Sequence, residues 1–272
     1  MRFLKSFKKY LEEKSIIPGK GKRFGQAILL AGGAGSGKSF AVSQFIDSLD
    51  YKVMNPDDVI VNAIRLANKG VKGFENLKGK DITNPDDLAD VFHDINVVRE
   101  LPQKKLANFF KGKDMSRLPN IILDRTFKGE GSFKEWAQKL RTYGYKPENI
   151  HTVWVFTEVD IALTQNRQRK AAGDRFVPEQ ILLMSHSGAK LNMRDLIFGR
   201  LKSSPINGDI FIVFGGLKNT VFYGTPEGEL PPKGQKMVVK DFKYLKVKSA
   251  GRRMEKTGQI ARKVASVFKN IR

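Results

Sequence analysis

Eight consecutive residues, Gly32-Gly33-Ala34-Gly35-Ser36-Gly37-Lys38-Ser39, constrain this chain more than any other part of it. They fit the spacing G-x-x-x-x-G-K-[ST], and their surroundings fit it too. The apolar run QAILLA at 26–31 reads as a strand buried on both faces, and Phe40, Ala41, Phe45, Ile46 and Leu49 follow at helical spacing. A strand that turns through glycines into a helix sets a row of backbone N–H groups around a concavity, with the positive end of the helix dipole behind them. Phosphate suits such a P-loop. In this reading Gly32, Gly33, Ala34, Gly35, Ser36 and Gly37 wrap a nucleoside triphosphate, Lys38 reaches its β- and γ-phosphates, and Ser39 ligates Mg²⁺.

The rest of the chain keeps alternating strand with helix. Short apolar runs at 51–54, 120–124 (NIILD), 151–156 (HTVWVF) and 209–214 (DIFIVF) read as four more strands. Helical patterns fall at 57–70, 84–101, 104–110, 133–143, 159–170 and 178–187. The second opens at Asn84-Pro85-Asp86-Asp87, where Asn caps, Pro takes the first helical position and the acids face the dipole. The expectation is an α/β, P-loop NTPase fold: a mostly parallel, doubly wound five-stranded sheet with helices on both faces, plus basic terminal extensions.

Three regions follow from the pattern. Residues 1–25 form a basic segment with an amphipathic helix at 3–13 and a glycine-containing linker. Residues 26–216 form the core, with a helical insertion at 68–119 and an arginine-bearing lid at 166–178. Residues 217–272 form a basic extension. Within it, 219–223 reads as an antiparallel edge strand, 236–248 as a strand or an irregular arm, and 257–272 as an amphipathic helix with Ile260, Val264, Val267, Phe268 and Ile271 on one face.

Charge separates the ends from the middle. The chain has 49 Lys and Arg against 28 Asp and Glu, a formal net charge of +21; residues 1–25 hold +6 of it, 233–272 hold +11, and +4 is left for everything between. Such termini call for a polyanion, nucleic acid first and an anionic membrane surface second. With no cysteine there is no disulfide and no thiolate metal site. No apolar run approaches the roughly 20 residues that span a bilayer, and the first residues lack the apolar stretch of a secretory signal, so the expected compartment is the cytoplasm.

Three further positions carry candidate chemistry. Asp57 and Asp58 follow the second strand, where α/β ligand sites form; a carboxylate there either takes the proton of an attacking hydroxyl or caps the next helix. Asp124 ends the third strand, as an acid holding Mg²⁺ does. Arg167, Arg169 and Arg175 bracket a glycine ahead of a helix and are placed to neutralise charge on a transferring phosphoryl group. His93, Trp136 and Trp154 read as structural.

The segments GGAGSGKS, VMNPDDV, IILDRTF and RQRKAAGDRFVPEQI together resemble the P-loop kinases that include zeta toxins and phage-type polynucleotide 5′-hydroxyl kinases, over roughly residues 26–215. The resemblance implies a catalytic Asp57, an Asp124 after strand three and an arginine lid from residue 167 to 178. It also implies ATP and Mg²⁺ as cofactors and transfer of the γ-phosphoryl group to a hydroxyl acceptor. That acceptor is a nucleotide sugar, a nucleoside or nucleotide, or a 5′-hydroxyl nucleic-acid end. The zeta pattern has Glu-Gly-Thr where this chain has Asp124-Arg125-Thr126. A different class of function also fits: a nucleic-acid-binding or assembly protein whose P-loop domain is a regulatory or vestigial ATPase.

Overall fold

The computed structural model describes residues 15–21, 24–48, 50–81, 84–171, 176–198, 205–232, 235, 238–252 and 258–262. The predicted helix at 3–13, Arg175, and the predicted helix at 257–272 apart from its helical residues 258–262 lie outside that set. In chain order the elements are β1 (Ala27–Ala31), α1 (Lys38–Gln44), β2 (Tyr51–Met54), α2 (Pro56–Asn68), α3 (Pro85–His93), α4 (Leu101–Phe110), β3 (Asn120–Asp124) and α5 (Ser132–Thr142). They continue with β4 (Ile150–Phe156), α6 (Val159–Ala171), α7 (Glu179–Ile197), β5 (Ile210–Phe214), β6 (Thr220–Phe222), β7 (Val239–Phe242) and β8 (Tyr244–Lys248).

All five residues of β1 are buried and apolar, so the strand needs cover on both faces. Its alternation provides for this: Ala27, Leu29 and Ala31 enter one core with Trp136 and Met193, while Ile28 and Leu30 enter another with Phe45 and Phe242. The sheet runs β2-β3-β1-β4-β5-β8. Leu29 pairs with Leu123 on one side and Thr152 on the other, both parallel, so the carboxyl ends of β1, β2, β3 and β4 open at one edge. Ligands bind at that edge in sheets of this kind.

The five predicted strands form, and a sixth joins them. Tyr244 and Leu245 of β8 pair antiparallel with Val213 and Ile212 of β5, with a register shift between Ile210 and Phe211. The arm at 236–248 therefore contributes to both sheets, and residues beyond 216 help build the fold. The strand predicted at 219–223 forms as β6, but it pairs with β7 in a separate two-stranded sheet, leaving the edge of the main sheet to β8.

Two helices differ from expectation. The pattern at 84–101 breaks: α3 stops at His93, a π-helical turn covers Asp94–Val98, and Glu100 takes a left-handed φ of 49° before α4 starts. The helix predicted at 178–187 runs on to Ile197, because Leu182, Ser185, Ala189, Asn192 and Met193 keep one buried face. Gly188 inside it is a packing residue, since a Cβ there would stand 2.4 Å from the Lys128 carbonyl oxygen. The insertion packs on α2 through its own small core of Ile60, Ala63, Ala67, Leu77, Val91 and Ile95.

A buried polar cluster ties the other end of the sheet. Asp209, 1% exposed, accepts hydrogen bonds from the Gly19 N–H (2.8 Å) and the Ala250 N–H (3.1 Å) and pairs with Lys246 Nζ at 2.7 Å. His151 accepts from the Asp209 N–H at Nδ1 (2.8 Å) and lies 2.8 Å from Gln26 Oε1 at Nε2, so the tautomer that satisfies both partners carries its proton on Nε2.

Candidate active site

The glycine loop leaves β1 and enters α1 through Gly35 at φ 72° and Gly37 at φ 83°, left-handed conformations that glycine adopts without strain. Gly37 caps α1 with no side-chain bond, which leaves the first-turn amides facing the concavity. Lys38 folds back across it. Its Nζ donates to the carbonyls of Gly32 (3.1 Å) and Gly33 (3.2 Å) and stands 3.9 Å from Asp124 Oδ1. Residues 34–39 line a cleft of about 160 Å³ together with Asn55, Asp57, Asp124, Arg125, Thr126 and Arg169.

One asparagine connects the acids. Asn55 caps α2: its Oδ1 accepts from the Asp57 N–H at 2.9 Å, and its Nδ2 donates to Asp124 Oδ2 at 3.4 Å. That cap fixes the first turn, so half-buried Asp57 lines the cleft while Asp58, one position on, is exposed and outside it. Asp124 is 5% exposed at the end of β3, and Ser39 lines the same space. Arg169 lines the cleft from α6. Arg167 does not: its Nε and Nη2 donate to Glu179 Oε1 at 3.0 and 2.7 Å, joining α6 to the start of α7 on the exposed surface.

A second, mostly apolar cavity of about 260 Å³ continues from the loop toward β4 and β5, between Phe40, Val155, Leu217 and Phe222, with Arg169 at its border.

The sequence pattern of the zeta toxin family matches residues 9–198, more than half of the chain. The chain belongs to the zeta toxin family. No curated protein matches it significantly in sequence. Among solved structures it is similar to one from the PezAT toxin–antitoxin system of Streptococcus pneumoniae, with 14% identity and a TM-score of 0.45 over 78% of this chain and 75% of that one. It is similar also to deoxyadenosine kinase from M. mycoides (13%, TM-score 0.38, 69% and 90%) and to a chain of the Pnkp1/Rnl/Hen1 RNA repair complex (18%, 0.38, 63% and 46%). For this zeta toxin family member, membership and the loop together give the class of nucleotide-dependent phosphotransferase. Among the described residues no helix is long and apolar enough to cross a membrane.

Sequence reading missed what holds the loop of this family member in shape. Ser185 and His186, on α7, grip Ala34 from both sides: Ser185 Oγ accepts from its N–H at 2.8 Å, and His186 Nε2 lies 2.8 Å from its carbonyl, to which Nε2–H donates. Burial holds the His186 imidazole below the ordinary histidine range; the bond to Ala34 opposes that and the Lys38 charge adds to it. Thr157 Oγ1 donates to the Ser36 carbonyl at 2.8 Å. The available signal was the helical spacing from Leu182 through Ser185 to Ala189, which marks Ser185 as core-facing.

Proposed function

We propose that this protein transfers the γ-phosphoryl group of ATP to a hydroxyl of an acceptor. The carrying observation is the placement of Asp57: the Asn55 cap holds it on the same cleft as Lys38, Ser39 and Asp124, with the phosphate cradle between them.

The apolar cavity beside Phe40 and Phe222 receives the nucleoside, and the amides of residues 35–39 receive the phosphates. The Lys38 ammonium exchanges the Gly32 and Gly33 carbonyls for β- and γ-phosphate oxygens. Ser39 and Asp124 are hard oxygen donors beside the cradle, the small donor set Mg²⁺ uses when phosphate oxygens and waters complete its shell. Bound there, the ion supplies neutralisation of charge on the β- and γ-oxygens. Asp57 orients the acceptor hydroxyl and takes its proton as the new O–P bond forms and the bond from the γ-phosphorus to the bridging oxygen breaks, releasing ADP. Arg169 offsets charge on the transferring group from α6. The acceptor is a nucleotide sugar, a nucleoside or nucleotide, or a 5′-hydroxyl nucleic acid, the last being the one that basic termini favour.

The test is incubation with γ-labelled ATP, Mg²⁺ and a panel of nucleotide sugars, nucleosides and 5′-hydroxyl oligonucleotides, with Lys38→Ala as control. Label is expected on at least one acceptor with the wild-type chain and is lost in K38A. ATP binding with no acceptor labelled overturns the kinase reading in favour of a regulatory ATPase.

A further inference from the structure

Arg125 stands in the cleft with no ion pair to a carboxylate among the described residues. It follows Asp124 at the end of β3, half-buried, and its guanidinium lies 4.2 Å from the centroid of the Trp136 ring. Trp136 is 5% exposed, so the platform beneath the guanidinium is fixed. Among the described residues no carboxylate pairs with Arg125. Burial pushes its pKa down, and Glu135, whose charge opposes that, is itself bonded by Lys139 at 2.8 Å. An enclosed cation of this kind is costly until an anion completes it.

Its position decides which anion. The donor nucleoside cavity lies toward β4 and β5, whereas Arg125 borders both the phosphate cleft and a small cavity on the opposite side, between Met54, Val59, Leu106 and Trp136. Asn55 and Pro56, which lead into Asp57, line both of those spaces, so Arg125 stands on the side of the proposed base. A guanidinium carries its donors in a planar fork, the geometry that meets two phosphate oxygens at once.

We infer that Arg125 is an acceptor-binding residue that selects, among hydroxyl-bearing acceptors, those carrying a phosphate group, which it holds by paired N–H···O bonds. This rests on the kinase reading and adds the charge class of its substrate. The departure from Glu-Gly-Thr at this point of the sequence is thereby a specificity element of this chain.

The experiment uses the full chain carrying Trp154→Phe, so that Trp136 is the sole tryptophan. The protein, saturated with ATPγS, is titrated with a nucleoside, its monophosphates, a nucleotide sugar, and a 5′-hydroxyl dinucleotide with either a phosphodiester or an uncharged methylphosphonate link. Binding is read from Trp136 fluorescence, and transfer from γ-labelled ATP in parallel. Charged members are expected to bind on the order of 10- to 100-fold more tightly than their neutral counterparts. Arg125→Gln collapses that ratio toward one, and Arg125→Lys, which keeps the charge without the fork, retains part of it. The monophosphate, sugar and dinucleotide arms separate a terminal phosphate from a bridging one. Equal binding of charged and neutral members by the wild-type cleft overturns the inference. So does an R125Q protein that loses ATPγS affinity while keeping the ratio, since the arginine would then serve the donor. A ratio lost in R125Q, with no label transferred by the wild type, upholds the anion site and overturns the kinase reading instead.

Discussion

Gly33 has no Cβ because His186 occupies the space: a Cβ there would stand 2.1 Å from the imidazole Cδ2. Gly33→Ala must therefore displace the ring and release the Ala34 carbonyl, a loss of about 1–3 kcal/mol, as overpacking usually costs. Denaturant melts of G33A, His186→Ala and the double variant test this, and the double is expected to lose less than the two singles together. Strictly additive losses would contradict the clamp. Such pairings set the limit of sequence reading. Lys38, Asp57 and Asp124 were legible because each sits at a strand end or beside a glycine loop, where local pattern fixes position. The grip on Ala34 was not, since its partners lie some 150 residues away. Arg167 was expected at the phosphates and pairs instead with Glu179, a contact set by how α6 meets α7 and not by spacing along the chain.

At the scale of elements, the start of α2 links capping to chemistry. Asn55→Ala removes the cap, at a cost of about 1 kcal/mol, and with it the bond to Asp124. Asn55→Asp keeps a capping oxygen and sets a second carboxylate against Asp124. The expected outcome is that N55D recovers most of the melting temperature lost in N55A but not the transfer rate. Recovery of both would show that Asn55 does no more than cap. The cap at Asn84 was legible, whereas at the first Asn-Pro-Asp-Asp the sequence offered Asp57 or Asp58 as the capping acid and the structure gives the cap to Asn55, with the helix starting at Pro56. The end of the second such helix was not legible: nothing local in residues 94–100 announces a π-helical turn followed by a left-handed Glu100. By contrast α5, whose helical pattern at 133–143 was legible, ends in a Schellman closure at Gly144, with Tyr145 N–H reaching the Leu140 carbonyl at 3.2 Å and Gly144 N–H the Arg141 carbonyl at 2.9 Å.

On the scale of the whole molecule, Asp209 joins an early segment, the inner sheet and the late strand β8. Burial raises its pKa, but Lys246 and the N–H groups of Gly19 and Ala250 outweigh that and hold the carboxyl well below its ordinary range. A folded-state pKa below the unfolded one means stability that is complete above about pH 4 and falls away under it. Thermal melts between pH 6 and pH 2 are expected to steepen in their pH dependence below about pH 4, and Asp209→Asn to lower the melting temperature near neutrality while flattening that acid limb. An acid limb unchanged in D209N would place the acid sensitivity elsewhere. The topology that makes this tie, with β8 closing the sheet, was only half legible: lysines on alternate positions of an edge strand resemble those of a solvated arm. Phosphoryl transfer depends most directly on Asp57. Single-turnover transfer from γ-labelled ATP, compared between wild type and Asp57→Asn with ATP bound in both, is predicted to fall about 10²- to 10⁴-fold in the variant; transfer at the wild-type rate in D57N would contradict it.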